Sequence, residues 1–107
     1  NDVSVILSTA PSIDEAARLG RTLVEEGLAA CVNLVPGVRS IYRWQGKMCD
    51  DGEVLLVVKT ATARRDAALA RLKELHPYEV PEGLVFSPTA GLTDYLAWVT
   101  AESSSGM

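Results

Sequence analysis

Five consecutive apolar residues, Val54-Leu55-Leu56-Val57-Val58, leave a strand no polar face to show to water. Side chains alternate between the two faces of a strand, so both faces of this one must be covered. The segment belongs near the centre of a sheet, between two layers. Residues 3–9 come close to the same condition. Val3, Val5 and Leu7 make one side fully apolar, while Ser4, Ile6 and Ser8 make the other mixed. A sheet built on these two strands needs helices on one side and a further cover on the other.

The helices are legible around them. Ser12 followed by Glu15 is a capping-box pattern. Ile13, Ala16, Ala17, Gly20, Leu23 and Val24 then recur at helical spacing. The small residues at 16, 17 and 20 admit a close approach to a sheet, the reason to tolerate a glycine that costs about 1 kcal/mol in a helix. Gly27 suits a left-handed C-terminal cap. Residues 30–44 form a long strand interrupted at Pro36-Gly37, where a bulge or bend is expected. Gln45-Gly46-Lys47 turns the chain, and 54–60 runs back to complete a long hairpin. Asp50-Asp51-Gly52 is expected to add a second turn or bulge. Thr62 is placed to cap a second helix with the stripe Ala68, Leu69, Leu72 and Leu75. That helix must stop near His76, because Pro77 disfavours the helical conformation before it. Leu84-Val85-Phe86 is a short fourth strand, and Gly91 with Thr93-Asp94 opens a last helix bearing Tyr95, Leu96, Trp98 and Val99.

The order reads as one α+β domain over 1–102: a ferredoxin-like βαββαβ unit with an extra C-terminal helix. Its four-stranded antiparallel sheet carries a long hairpin between strands two and three, and a disordered tail is expected at 103–107. Two helices cover one face only. A second copy of the chain covers the other better than the last helix can, because an exposed apolar face of that size is a liability for a monomer.

Charge narrows the partners. The 107 residues carry a net charge of −4, and the one adjacent basic pair, Arg64-Arg65, sits beside Asp66. This is not the basic stripe of a nucleic-acid binder. Cys31, Cys49 and His76 fit no zinc-finger spacing, and two cysteines are too few for a disulfide scaffold. Reduced thiols, no secretion signal and no apolar run able to span a bilayer point to a cytoplasmic protein without a membrane partner.

The densest chemistry lies in His76-Pro77-Tyr78-Glu79-Val80-Pro81-Glu82. Two prolines stiffen a stretch that offers an imidazole, a phenol and two carboxylates. It can line a small-ligand or metal site, or it can serve as a rigid connector setting the register of strand four. Tyr42 and Trp44, two residues apart on one strand face, are candidates for an interface anchor or a ligand platform. Lys59-Thr60, before a helix, could receive an anion. Cys31 reads as an inert packed thiol. No glycine-rich phosphate loop, nucleophile elbow or paired metal-ligand motif occurs, so no enzyme is expected.

Several of these segments together resemble one family. Leu28-Ala29-Ala30-Cys31-Val32-Asn33, Val35-Pro36-Gly37, Ser40-Ile41-Tyr42, Trp44 with Gly46-Lys47, Lys59-Thr60, His76 through Glu82 and Asp94-Tyr95-Leu96 with Trp98 look like the CutA, or divalent-cation-tolerance, proteins. The likeness spans residues 5 to 99 in order. It implies a tight homotrimer whose hairpins wrap neighbouring subunits, with the aromatic pair Tyr42 and Trp44 at the interface. It also implies a tie to tolerance of copper and other divalent cations, and no assigned reaction. By the same likeness the ion would meet His76, Glu79 and Glu82, with no obligatory cofactor and copper or another divalent cation as the bound species. Ser8 stands where metal-site proposals for the family have a thiol, which points to loose binding. The alternative the likeness allows is a signalling-type module, holding a small metabolite in an intersubunit cleft lined by Trp44, Lys59, Tyr78 and Glu82. A purely structural trimer is the third reading.

Overall fold

The computed structural model describes residues 2–104. Strand β1 (Val3–Ala10) leads into helix α1 (Ile13–Glu25); β2 (Cys31–Trp44) and β3 (Lys47–Ala61) form the hairpin. A 3₁₀ turn (Thr62–Arg64), helix α2 (Arg65–Leu75), strand β4 (Leu84–Phe86) and helix α3 (Thr93–Glu102) follow. The sheet order is β2-β3-β1-β4, and every pair is antiparallel. The doubly apolar segment 54–58 thus lies in β3, between β1 and β2, as its composition requires.

Even-numbered residues of β1 and β3 face α1 and α2. Ile6, Leu56 and Val58 meet Leu19, Leu23, Ala68 and Leu72 there in one buried cluster. Gly20 allows the approach of α1 to β2: a Cβ on it would lie 3.2 Å from Val32 Cγ1. Ser12 caps α1 by accepting from the Glu15 amide at 3.2 Å, and Gly27 is left-handed with φ 71°. The Glu15 carboxylate, however, pairs with Arg18 at 2.7 Å instead of closing the capping box.

The odd-numbered face is different. Val5, Leu7, Leu55 and Val57 are only half-buried, and Leu84 and Phe86 are 54% and 52% exposed. Helix α3 covers one end of this face, where Val3 and Val99 are buried. The rest stays open. No helix among the described residues is long and apolar enough to cross a membrane.

Three local expectations change. Thr62 does not cap α2: its hydroxyl bonds Ser4 Oγ at 2.8 Å, a 3₁₀ turn intervenes, and α2 starts after Arg64 with no side-chain cap. Asp50-Asp51-Gly52 makes no turn. These residues pair with Ile41, Ser40 and Arg39, so β3 runs unbroken from Lys47, and the irregularity lies across the ladder at Pro36-Gly37. The expected disordered tail begins instead with a fixed residue. Ser103 is fully buried, accepting from the Ala61 amide at 2.8 Å and donating to Val99 O at 2.6 Å, which ties the end of α3 to β3. The remainder of that tail, 105–107, lies outside the described residues.

Candidate functional site

The bulge aims the hairpin's side chains. Val35 pairs with Leu55 and Val38 pairs with Glu53, so β2 uses three steps where β3 uses two. One extra residue reverses the alternation of a strand. Before the bulge, odd residues of β2 share the open face; after it, Val38, Ser40, Tyr42 and Trp44 do. Gly37 absorbs the bend with φ 78°, and Gln45 and Gly46, at φ 50° and 79°, close a two-residue turn of the primed kind.

Tyr42, Trp44, Ser40 and Glu53 of the arm therefore lie on the side of the sheet that Thr9 occupies. The connector from Pro77 to Glu82 crosses the same side. Together they line a cleft of about 620 Å³. Its lining carries three carboxylates, Glu53, Glu79 and Glu82, and no lysine or arginine. Tyr78 ties connector to arm: its hydroxyl donates to Glu53 Oε2 at 2.6 Å. Tyr42 donates to Asp51 Oδ2 at 2.5 Å.

His76 lies beneath this cleft rather than in its lining. It is 8% exposed. Its Nδ1 accepts from the Tyr78 amide at 3.1 Å, and its Nε2 lies 2.7 Å from Thr9 O, which fixes the tautomer with the proton on Nε2. The three-residue β4 pairs only with Val5, Ile6 and Leu7, so it stops short of Thr9, and the imidazole serves that carbonyl. The ring also packs on Tyr78, centroids 4.7 Å apart. With both nitrogens engaged by backbone, the imidazole has no lone pair for an ion. The expected set His76, Glu79 and Glu82 does not converge: among the described residues no three of His, Cys, Asp and Glu are grouped to hold a metal ion.

Lys59 lies apart from this cleft within one chain. It lies six residues along β3 from Glu53, about 20 Å at strand rise, and its ammonium donates to Asn33 Oδ1 across from Cys31. Ser8 faces the helices, fully buried, its hydroxyl without a partner among the described residues. A thiol there would sit on the opposite side of the sheet from the cleft. Cys31 and Cys49 are free and half-buried. Of the side chains singled out in the sequence, Tyr42, Trp44, Tyr78, Glu79 and Glu82 line this cleft, and Thr9, Ser40 and Glu53, not singled out as site residues, line it with them. Their one signal was the bulge at Pro36-Gly37, which decides who faces whom.

The tyrosines make a pH prediction. Burial and then the Glu53 hydrogen bond push the Tyr78 phenol above its ordinary range. The hydrogen bond to Asp51 does the same for Tyr42, and burial raises Tyr95. A raised folded pKa means these phenols stabilise the fold fully below their unfolded pKa of about 10, and that contribution fades only as pH rises beyond it. Tyrosinate absorbance should appear at higher pH in the folded protein than in urea. Coincident titration curves would refute the two carboxylate contacts.

The family model described as CutA1 divalent ion tolerance protein matches residues 4–102. The chain is 47% identical over 100 residues to the divalent-cation tolerance protein CutA of Pectobacterium atrosepticum, covering 94% of this chain and 91% of that protein. It is 50% identical over 95 residues to the protein of that name from Thermus thermophilus, covering 89% and 92%. Among solved structures it is similar to CutA from Xylella fastidiosa, with TM-score 0.94 and 43% identity over 97% of this chain and all of that one. A structure named periplasmic divalent cation tolerance protein CutA, from Archaeoglobus fulgidus, is similar at TM-score 0.91 and 32% identity, covering 95% and 99%.

Proposed function

Because the chain belongs to the CutA1 divalent ion tolerance family, we propose that it acts by binding divalent cations in the cleft between its hairpin arm and the 77–82 connector, and catalyses no reaction. One observation carries this reading: three carboxylates and no basic side chain line that cleft. Such a cavity focuses negative potential and raises the local concentration of cations. Hard oxygen donors suit magnesium, calcium and manganese, whereas copper and zinc prefer imidazole or thiolate. Since His76 is spent on backbone, copper and zinc are held weakly, through Glu79 and Glu82.

The functional unit is a homotrimer. The open sheet face supports it: Val5, Leu7, Leu55, Val57, Leu84 and Phe86 form an apolar surface that a second and third chain would close over, with Tyr42 and Trp44 on the same side as anchors. The strand order with both long helices on one face supports a ferredoxin-like subunit. Two free thiols accord with a reducing, cytoplasmic setting.

Calorimetric titration with copper and zinc tests the ion site. Glu79→Gln with Glu82→Gln is expected to weaken both ions roughly tenfold, the loss of about 1.4 kcal/mol of attraction. An isotherm matching the wild type would place the ion elsewhere.

A further inference from the structure

A ring of three copies cannot match a patch with itself. A two-fold dimer does that, whereas a closed three-fold ring joins two different patches at every seam. The open side of this chain divides into two such patches. The arm supplies one, with Tyr42 and Trp44 beside the acidic cleft. The body supplies the other, the apolar surface of Val5, Leu7, Leu55, Val57, Leu84 and Phe86. Arm packs on body, so the cleft of one subunit opens onto the body of the next.

At that seam its charge needs an answer. Glu53, Glu79 and Glu82 line the cleft, and shutting carboxylates away from water without a counter-charge is strongly unfavourable. Of the strand residues on the open side of the body, Lys59 alone is charged. Its ammonium donates to the neutral amide oxygen Asn33 Oδ1 and pairs with no carboxylate among the described residues. The other lysine on this side of the strands, Lys47, sits opposite Trp44 at the tip of the arm, in the patch that carries the cleft. One patch thus holds carboxylates without a cation, and the other holds a cation without a carboxylate. Complementary charge of this kind fixes register between partners.

We propose that Lys59 of the neighbouring subunit enters each cleft as the counter-ion of Glu79 and Glu82. The proposal rests on the trimer and deepens the cation reading. One ammonium against three carboxylates leaves negative charge for a divalent ion, and the lysine competes with that ion for the same oxygens. Lys59 therefore tightens assembly and loosens ion binding.

A double-mutant cycle on the full chain tests this, with sedimentation in urea reading trimer dissociation and calorimetry reading zinc. Lys59→Met keeps the stem and removes the charge. It is expected to raise the trimer dissociation constant at least tenfold and to tighten zinc roughly fivefold. Lys59→Arg, which keeps the charge, should retain assembly. In chains that already carry Glu79→Gln with Glu82→Gln, Lys59→Met should change neither quantity further. Lys59 lies about 20 Å from Glu53 in its own chain, so such coupling reports a contact between subunits. Assembly and zinc both indifferent to Lys59→Met overturns the proposal, while the trimer and the ion reading stand. Effects that persist in full beside the glutamine changes overturn it too, because the lysine then acts at home through Asn33. A wild type that sediments as a monomer removes the trimer and the proposal together. Zinc indifferent to the glutamine changes, with assembly still coupled, removes the ion reading and supports the bridge between subunits.

Discussion

Val57→Asp is expected to turn the proposed trimer into a monomer at micromolar concentration. Val57 sits in β3, opposite Leu7 of β1, on the face that α1 and α2 do not cover. Its neighbours on that face, Val5, Leu7 and Leu55, are as half-buried as it is. Within one chain an aspartate there keeps contact with water, so the subunit folds. In a trimer that closes over this face, each carboxylate is buried without a partner. An uncompensated buried charge costs about 3–5 kcal/mol, and three copies multiply it. Sedimentation velocity gives the answer directly. A wild type that sediments as a monomer at that concentration would overturn the trimer, and an aspartate variant that stays trimeric would move the interface off this face.

His76→Ala should cost about 2–4 kcal/mol of stability and change ion affinity less than the paired glutamate changes do. The imidazole connects Thr9 O to the Tyr78 amide, 67 and two residues away along the chain. Truncation leaves a carbonyl and an amide unserved in a buried place, each worth about 1–3 kcal/mol, and removes the ring packed at a tilt against Tyr78. Urea unfolding followed by circular dichroism measures the first effect and calorimetric titration the second. Undiminished stability with abolished copper binding would restore the imidazole as a ligand and refute its role as a backbone bridge.

The two substitutions separate assembly from the cleft, and the second depends on how the connector is held. The reading of 76–82 as either a rigid connector or a ligand-lining segment need not be decided one way. His76 does the connecting, and residues 77–82 do the lining. Alternation in sequence could not divide these tasks, because the partners of His76 and Tyr78 lie on β1 and β3, far along the chain.

Local pattern determined the order of elements, the central place of 54–58, both ends of α1, the stop of α2 before Pro77, and the existence of an uncovered apolar face. Each of these depends on periodicity and on the backbone limits of glycine and proline, which act between near neighbours. Tertiary structure decided the rest. It alone fixed the irregularity expected at Pro36-Gly37 as a single extra residue opposite Val54, hence which side Tyr42 and Trp44 share with Glu53 and Thr9. It alone spent both nitrogens of His76 and placed Lys59 outside the cleft of its own chain. The physical reason is that a strand's alternation reverses with a single added residue, and hydrogen-bond partners across a sheet are chosen by register, not by proximity in sequence.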